Sequence, residues 1–129
     1  LIQGTSDWHN YQVEATVQIN LAKTAGNGAR VQGMRRYYAL LLAHGDKVCL
    51  VKALDGVRNL AEIDFPWERG QPYALRLQVN GNQLRAWIDG QLLFEVEDND
   101  NALAGGAAAF ILEEGHMMSD SLAVRPLNH

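Results

Sequence analysis

This chain of 129 residues has one cysteine, no long apolar run and no excess of positive charge. The single cysteine, Cys49, cannot form an intramolecular disulfide, and its place in the apolar run 48–51 favours a small buried side chain over a catalytic thiol. No apolar stretch approaches the ~20 residues of a membrane-spanning helix. No secretory signal pattern opens the chain either, and the compartment is left open.

The charge balance argues against nucleic acid as a partner. Fifteen acidic and eleven basic side chains give a net charge of −4, whereas binding a phosphate backbone requires a strongly positive field. At this length we expect one domain over residues 1–129, large enough to fold without a disulfide or a metal. Because the chain begins at Leu1 without a methionine, we expect a module excised from a larger protein.

What the sequence does contain is a two-residue alternation of apolar and polar side chains. Residues 11–21 alternate in one long segment, and residues 72–97 alternate in three short ones. Further strand-like segments follow a predicted loop at 24–28 and lie at 29–34, 37–44, 47–54, 59–65, 105–112 and 119–125. About ten strands at this spacing predict an all-β fold, a two-sheet antiparallel jelly-roll sandwich.

The first turn within residues 72–97 has the sequence Asn80-Gly81. A two-residue turn there pairs Leu77 with Leu84, apolar against apolar, and Asn-Gly is the preferred type I′ pair because both residues tolerate positive φ. A one-residue slip would move the apolar side chains to the other face, so the sequence predicts this register.

The second turn has the sequence Asp89-Gly90. A two-residue turn there would place Glu95 on the core side of the sheet. We therefore predict a three-residue loop at 88–90, closed by a bulge with Gly90 at positive φ, which pairs Ala86 with Leu92.

Segments 37–44 and 47–54 are apolar on both faces, which predicts that something covers the outer face. A loop of the same domain, a neighbouring domain and a partner chain are the alternatives.

A family resemblance rests on the order and spacing of seven short motifs: Trp8-His9-Asn10-Tyr11, Gly28-Ala29-Arg30-Val31, Tyr37-Tyr38-Ala39-Leu40, Asn80-Gly81-Asn82, Asp89-Gly90, Gly105-Gly106-Ala107 and Ser119-Asp120-Ser121-Leu122. In this order they resemble the concanavalin A-like lectin/glucanase superfamily over nearly the whole chain. The pattern is most similar to jelly rolls of the three-keto-disaccharide hydrolase type and to sandwich domains appended to bacterial enzymes, including some ADP-ribosylglycohydrolase-family proteins. The resemblance implies a concave sheet that often carries a glycan, with Arg30 on it.

Segment 62–68 is the one candidate for hydrolytic chemistry, because glucanases of this superfamily carry carboxylates along one strand. A retaining glycosidase holds its two carboxyl groups only ~5 Å apart. Here Pro66 interrupts the segment between Asp64 and Glu68, which favours a strand end with a solvated acidic face.

Segment 98–101 offers oxygen ligands of the type that Ca²⁺ prefers. The EF-hand pattern fails because Leu103 stands where glycine is required. A solvated turn is favoured, with Asp98 and Asp100 kept as weak candidates for structural calcium. The four histidines lack the spacing of a zinc site, so no cofactor is expected.

Sugar binding requires flat apolar faces and planar polar side chains. Two clusters offer both. They consist of Arg76, Arg85 and Trp87 on the outer face of the 72–97 strands, and of Arg30, Gln32 and Tyr37. A structural alternative for the first cluster is a cross-strand ladder in which Trp87 shields a surface ion pair.

Three function classes follow. The first is a noncatalytic carbohydrate-binding module appended to a larger enzyme, with carbohydrate and the parent's catalytic domain as partners. The second is a structural or protein-interaction domain that docks on its parent through the outer face of 37–54, and the third is a glycoside hydrolase. Neither nucleic acid nor a membrane is expected as a partner.

Overall fold

The computed structural model describes residues 2–3, 9–20, 24–33, 35–100, 102–113, 117–119 and 122–127. All regular elements in these residues are strands. These residues therefore contain no helix that could cross a membrane. The strands are β1 (Ile2–Gln3), β2 (Tyr11–Ile19), β3 (Thr24–Gly33), β4 (Arg36–Ala43), β5 (Lys47–Leu54), β6 (Val57–Asp64), β7 (Pro72–Asn80), β8 (Gln83–Ile88), β9 (Gln91–Glu97), β10 (Ala107–Glu113), β11 (Met117–Ser119) and β12 (Ala123–Pro126).

These strands form two antiparallel sheets. The first sheet has the order β1-β10-β3-β4-β5-β6, and the second has the order β11-β2-β7-β8-β9, with β12 also paired to β2. Strands close to each end of the chain, β2 and β12, are thus neighbours. The predicted all-β, two-sheet jelly-roll sandwich is confirmed.

The core lies between the sheets and follows the predicted alternation. Every second residue of β2, from Tyr11 to Ile19, is buried, and β7 shows the same alternation. The facing residues of the first sheet include Leu40 and Leu50, so apolar side chains from both layers form one cluster. A buried amide also joins the layers, because Asn27 of β3 donates a hydrogen bond of 3.0 Å to the Leu75 carbonyl.

The first turn lies one residue later than predicted, and this shifts the strand pairing by two residues. The turn residues are Gly81 and Asn82, so that Leu77 pairs with Ala86 rather than with Leu84. Gly81 has φ of 60°, as expected for the first central residue of a type II′ turn. A shift of two residues keeps every apolar side chain on the core face, and the alternation could not exclude it.

At the second turn, Gly90 has the predicted positive φ of 82°, but the three-residue loop is wrong. Asp89 and Gly90 form a two-residue turn, both with positive φ as in type I′. The pairing then shifts between Ala86 and Trp87, so that Ala86 faces Phe94 instead of Leu92. A bulge does occur, but it lies within β9 and not at Gly90. It keeps Glu95 on the outer face opposite Arg85.

The glycine-containing segment 24–28 is part of β3 and not the predicted loop. A Cβ on Gly26 would lie 1.9 Å from the Leu40 carbonyl oxygen, so the close approach of β4 requires glycine there. The single strand expected over 119–125 is also wrong, because β11 and β12 are separate strands that both pair with β2.

The outer face of the first sheet carries a second, smaller apolar cluster. Ala39, Leu41, Cys49 and Val51 are only 0–8% exposed. Half-buried neighbours, among them Tyr37 and Ile111, pack around them. The chain itself therefore covers most of this cluster, and little apolar area is left for a docking partner.

Candidate functional site

A bulge in β3 directs the side chain of Arg30 towards the interior at one end of the sandwich. Between the pairs Ala29–Tyr38 and Gly33–Arg36, three residues of β3 lie opposite one residue of β4, and Arg30 has φ of 50°. Its side chain is 1% exposed, so the expectation that Arg30 presents its side chain on a glycan-binding face is corrected. The bulge, which the alternation does not reveal, directs the side chain inward.

The Arg30 guanidinium is surrounded by oxygen acceptors from separate loops. It donates to the His9 carbonyl over 2.9 and 2.7 Å, to the Leu103 carbonyl over 2.8 Å and to the Gly81 carbonyl. The Asn10 side chain accepts a further hydrogen bond of 3.2 Å. Burial lowers the pKa of Arg30 from its ordinary value, but arginine remains charged. Arg30 therefore has a structural role, holding three loops together.

Next to this site lies a buried ion pair between β5 and the loop after β9. Lys52 Nζ is 2.7 Å from Asp98 Oδ2, and both side chains are at most 3% exposed. The Tyr38 hydroxyl donates to the same carboxylate over 2.6 Å and accepts from the Leu103 amide over 3.0 Å. Because Leu103 also accepts from Arg30, the two buried cations belong to one polar network.

The pKa of Asp98 reflects opposing effects. Burial raises it, but hydrogen bonds from Lys52, from Tyr38 and from the Asp100 amide, together with the charge of Lys52, outweigh burial and lower the pKa below its ordinary value. Burial and the Asp98 carboxylate raise the pKa of Tyr38, so this hydroxyl stays protonated.

The two weak calcium candidates thus have cationic side chains of the protein as neighbours. Asp98 binds Lys52, and the Asp100 carboxylate lies 3.1 Å from Arg58. Across the described ranges, no three His, Cys, Asp or Glu side chains are grouped so that they could hold a metal ion. Two of the histidines, His116 and His129, lie outside the described residues.

Two clefts flank the tip of the β5–β6 hairpin. The first, here called the tyrosine cleft, has a volume of about 240 Å³ and is lined by Arg35, Tyr37, Ala53, Asp55, Gly56 and Val57. The second, here called the arginine cleft, has a volume of about 330 Å³ and is lined by Lys52, Leu54, Gly56, Val57, Arg58 and Asp100.

Charged side chains surround the single aromatic ring of the tyrosine cleft. Asp55 has φ of 54°, and its amide donates to the Arg35 carbonyl over 3.2 Å, which fixes the hairpin tip against β4. The exposed Asp55 carboxylate is 3.9 Å from Arg36. A flat ring, a guanidinium and a carboxylate therefore share one concavity.

The predicted cluster of Arg30, Gln32 and Tyr37 is not assembled as expected. Arg30 is buried, and the Gln32 amide donates over 2.7 Å to the Gly105 carbonyl. Tyr37 lines the tyrosine cleft. Sequence reasoning missed its neighbours Arg35 and Asp55, although the Asp55-Gly56 dipeptide is a turn signal that could have indicated them.

The second predicted cluster, on the outer face of the second sheet, is brought together as a cross-strand ladder. The Arg76 guanidinium carbon lies 4.0 Å from the centre of the Trp87 ring, and Arg85 Nε lies 2.9 Å from the Glu95 carboxylate. Leu92 is the neighbour of Trp87 on the other side. One face of the indole is therefore occupied by arginine.

The acidic segment of β6 ends as expected. Glu62 and Asp64 lie 3.6 and 3.0 Å from Lys47, which both carboxylates share. The strand stops at Asp64, so Glu68 does not continue the row of carboxylates beyond Pro66.

Comparisons with known proteins show the fold. No protein-family model matches the sequence, and no curated protein is similar enough in sequence to count as a relative. Among solved structures, the carbohydrate-binding module CBM66 from Bacillus subtilis superimposes with a TM-score of 0.80 at 15% identity, covering 91% of this chain and 75% of that one. Sheep galectin-11, in complex with glycerol, gives 0.69 at 13% identity over 96% of both chains.

The chain shares its two-sheet sandwich fold with this carbohydrate-binding module and this galectin. A third similar structure, the GH43 protein BlXynB of Bacillus licheniformis, has a TM-score of 0.70 at 13% identity, and the match covers 98% of this chain but only 29% of that one. At these identities the likeness extends to the fold and not to individual side chains.

Proposed function

We propose that this sandwich binds carbohydrate without cleaving it, and that the sugar occupies the tyrosine cleft. The observation that carries the proposal is the joint presence of Tyr37, Arg35 and Asp55 in a cleft of about 240 Å³. An aromatic ring packs against the C–H face of a sugar, while a guanidinium and a carboxylate hydrogen-bond its hydroxyls. The similarity of the fold to a carbohydrate-binding module and to a galectin supports this assignment.

The tyrosine cleft is a better site than the Trp87 ladder. A sugar stacking on Trp87 from the β7 side would have to displace Arg76, which already lies 4.0 Å from the ring centre. Arg85 is likewise engaged by Glu95. The ladder has the geometry of a stabilised outer sheet surface, and the cleft has the concave shape of a ligand site.

Binding without hydrolysis is proposed because of the arrangement of the acidic residues. Glu62 and Asp64 share Lys47 as their counter-ion on the outer face of β6. Glycoside hydrolysis uses two carboxyl groups that flank the scissile bond, one protonated and one ionised. Here Glu62 and Asp64 are both paired with the same lysine, and β6 ends before Glu68 can join their row.

The proposal includes an attachment to a larger enzyme. The chain matches only 29% of the GH43 protein, so a sandwich of this size can occur as part of a longer enzyme chain. The resemblance of the sequence motifs makes an ADP-ribosylglycohydrolase-family protein one candidate for this parent enzyme. Docking on the parent through the outer face of 37–54 is less favoured, because Ala39, Leu41, Cys49 and Val51 at the centre of that face are at most 8% exposed.

The experiment is a glycan array probed with this chain and two matched aromatic variants. Tyr37→Leu removes the ring from the cleft, and we expect at least a ~10-fold loss of affinity, or about 1.4 kcal/mol. Trp87→Leu removes the ring from the ladder and should leave binding within about twofold of the unmodified chain. The reverse result would move the site to the ladder, and no binding to any glycan would refute the proposal.

A further inference from the structure

The two clefts at the hairpin tip are adjacent, because Gly56 and Val57 line both of them. The arginine cleft has no part in the function proposed so far. We propose that it is a second sugar subsite, and that the ligand is a neutral oligosaccharide crossing the hairpin tip rather than one terminal sugar. This inference rests on the proposed function of the tyrosine cleft.

The hairpin tip leaves a path between the two clefts. Gly56 carries no side chain, and even a Cβ placed there would meet no heavy atom within 4 Å. Val57 is 68% exposed beside it and presents an apolar surface at the junction. A sugar chain can therefore pass from one cleft to the other with its C–H groups against Val57.

The polar groups of the arginine cleft suit a neutral sugar. Arg58 is 53% exposed at the side chain, and its guanidinium lies 3.1 Å from the Asp100 carboxylate. The pair presents donors beside acceptors, as adjacent hydroxyls of a sugar require. Lys52 and Arg58 are balanced by Asp98 and Asp100, so the cleft offers no net positive charge to hold an acidic sugar.

The inner wall of this cleft is held in place by the buried network. Lys52 binds Asp98 and also donates to the Asp100 carbonyl, and the Asp100 amide donates to Asp98 over 3.2 Å. The Asp98 amide in turn donates to the Asn82 carbonyl over 2.8 Å. Asp100 is therefore positioned before any ligand binds, which lowers the entropic cost of binding.

The test is calorimetric titration with neutral glucose, xylose, mannose and galactose series, each from one to four sugar units. In the series that binds, affinity should rise at least ~10-fold between one unit and two or three units and then stay level, because two subsites are then filled. If binding of the monosaccharide is too weak to detect while a longer sugar of the same series binds, the expected result is equally met.

A variant assigns the gain to the arginine cleft. Arg58→Ala should reduce the gain with length to less than about twofold and leave monosaccharide affinity unchanged, because the tyrosine cleft is intact. Arg125→Ala is the matched control, since Arg125 is an exposed strand arginine on the second sheet, and it should retain the full gain.

The outcomes separate the two proposals. Equal affinity for one and four units, with monosaccharide binding retained, overturns the second subsite and leaves the tyrosine cleft standing. Tighter binding of oligogalacturonates than of any neutral series overturns the neutral-sugar assignment. Absence of binding to every series overturns the second subsite together with the proposed function.

Discussion

The sandwich buries two cationic side chains at one end, and it stabilises their charges in different ways. Arg30 is surrounded by carbonyl and amide oxygens from three loops, whereas Lys52 has the carboxylate of Asp98. The Arg30 site depends on the conformation of these loops. None of the oxygen acceptors named for Arg30 belongs to a group that titrates at acid pH. The Lys52 site depends on one ionised side chain. Charge burial by carbonyls and charge burial by a carboxylate should thus respond differently to mutation and to pH.

The largest effect is expected from Asp98→Ala, which leaves Lys52 buried without its carboxylate. We expect a loss of about 3–5 kcal/mol in the free energy of unfolding, measured by urea denaturation. The control is the double variant Lys52→Met/Asp98→Leu, which removes both charges and should lie within about 2 kcal/mol of the unmodified chain. If the double variant were as unstable as the single one, lost packing rather than an unpaired charge would be the cause.

A smaller effect is expected from Arg30→Lys, which keeps the charge but not the planar group of donors. One ammonium cannot bond all the carbonyls that the guanidinium reaches, so we expect a loss of about 2–3 kcal/mol in the free energy of unfolding. Arg58→Lys, at an exposed position, should change it by less than about 0.5 kcal/mol. Equal stabilities for both lysine variants would contradict the role given to the carbonyls around Arg30.

The smallest expected effect is a change in stability with pH at the Lys52 site, which becomes visible only in acid. The pKa of Asp98 is lower in the folded chain than its ordinary value. Its contribution is therefore intact above about pH 5, and it is lost as the pH falls through the unfolded value near 3.9 towards the lower folded value. Urea midpoints between pH 6 and pH 2.5 should fall more steeply for the unmodified chain than for Lys52→Met/Asp98→Leu. Parallel curves would show that Asp98 does not contribute to acid sensitivity.

The sequence was sufficient for the fold because alternation reports which face of a strand is buried. It was not sufficient for register, since the two-residue shift at Gly81 changes no residue's face. The bulge that buries Arg30 depends on a backbone conformation of one residue, which neither alternation nor composition encodes. Resemblance to a family placed Arg30 on a ligand face and so gave it the wrong environment.

The candidate site could be predicted only in part from the sequence, because strand pairing decides which side chains become neighbours. Tyr37 was identified, but its neighbour Asp55 comes from the next hairpin, and only the pairing of β4 with β5 brings the two together. Lys52 did leave a signal, since a lysine within the apolar segment 47–54 implies a buried counter-ion. The identity of that counter-ion, Asp98, follows only from the folded topology.

The burial of Cys49 has a practical consequence for work on this protein. Burial, then the nearby Glu62, raises the pKa of the Cys49 thiol to about 11. At pH 7 only about one such thiol in 10,000 is ionised, so alkylating reagents should react with it slowly. A cysteine introduced at exposed Arg125 would then be the preferred target for a single fluorophore or surface tether. Binding could be followed on the chain with its native cysteine retained.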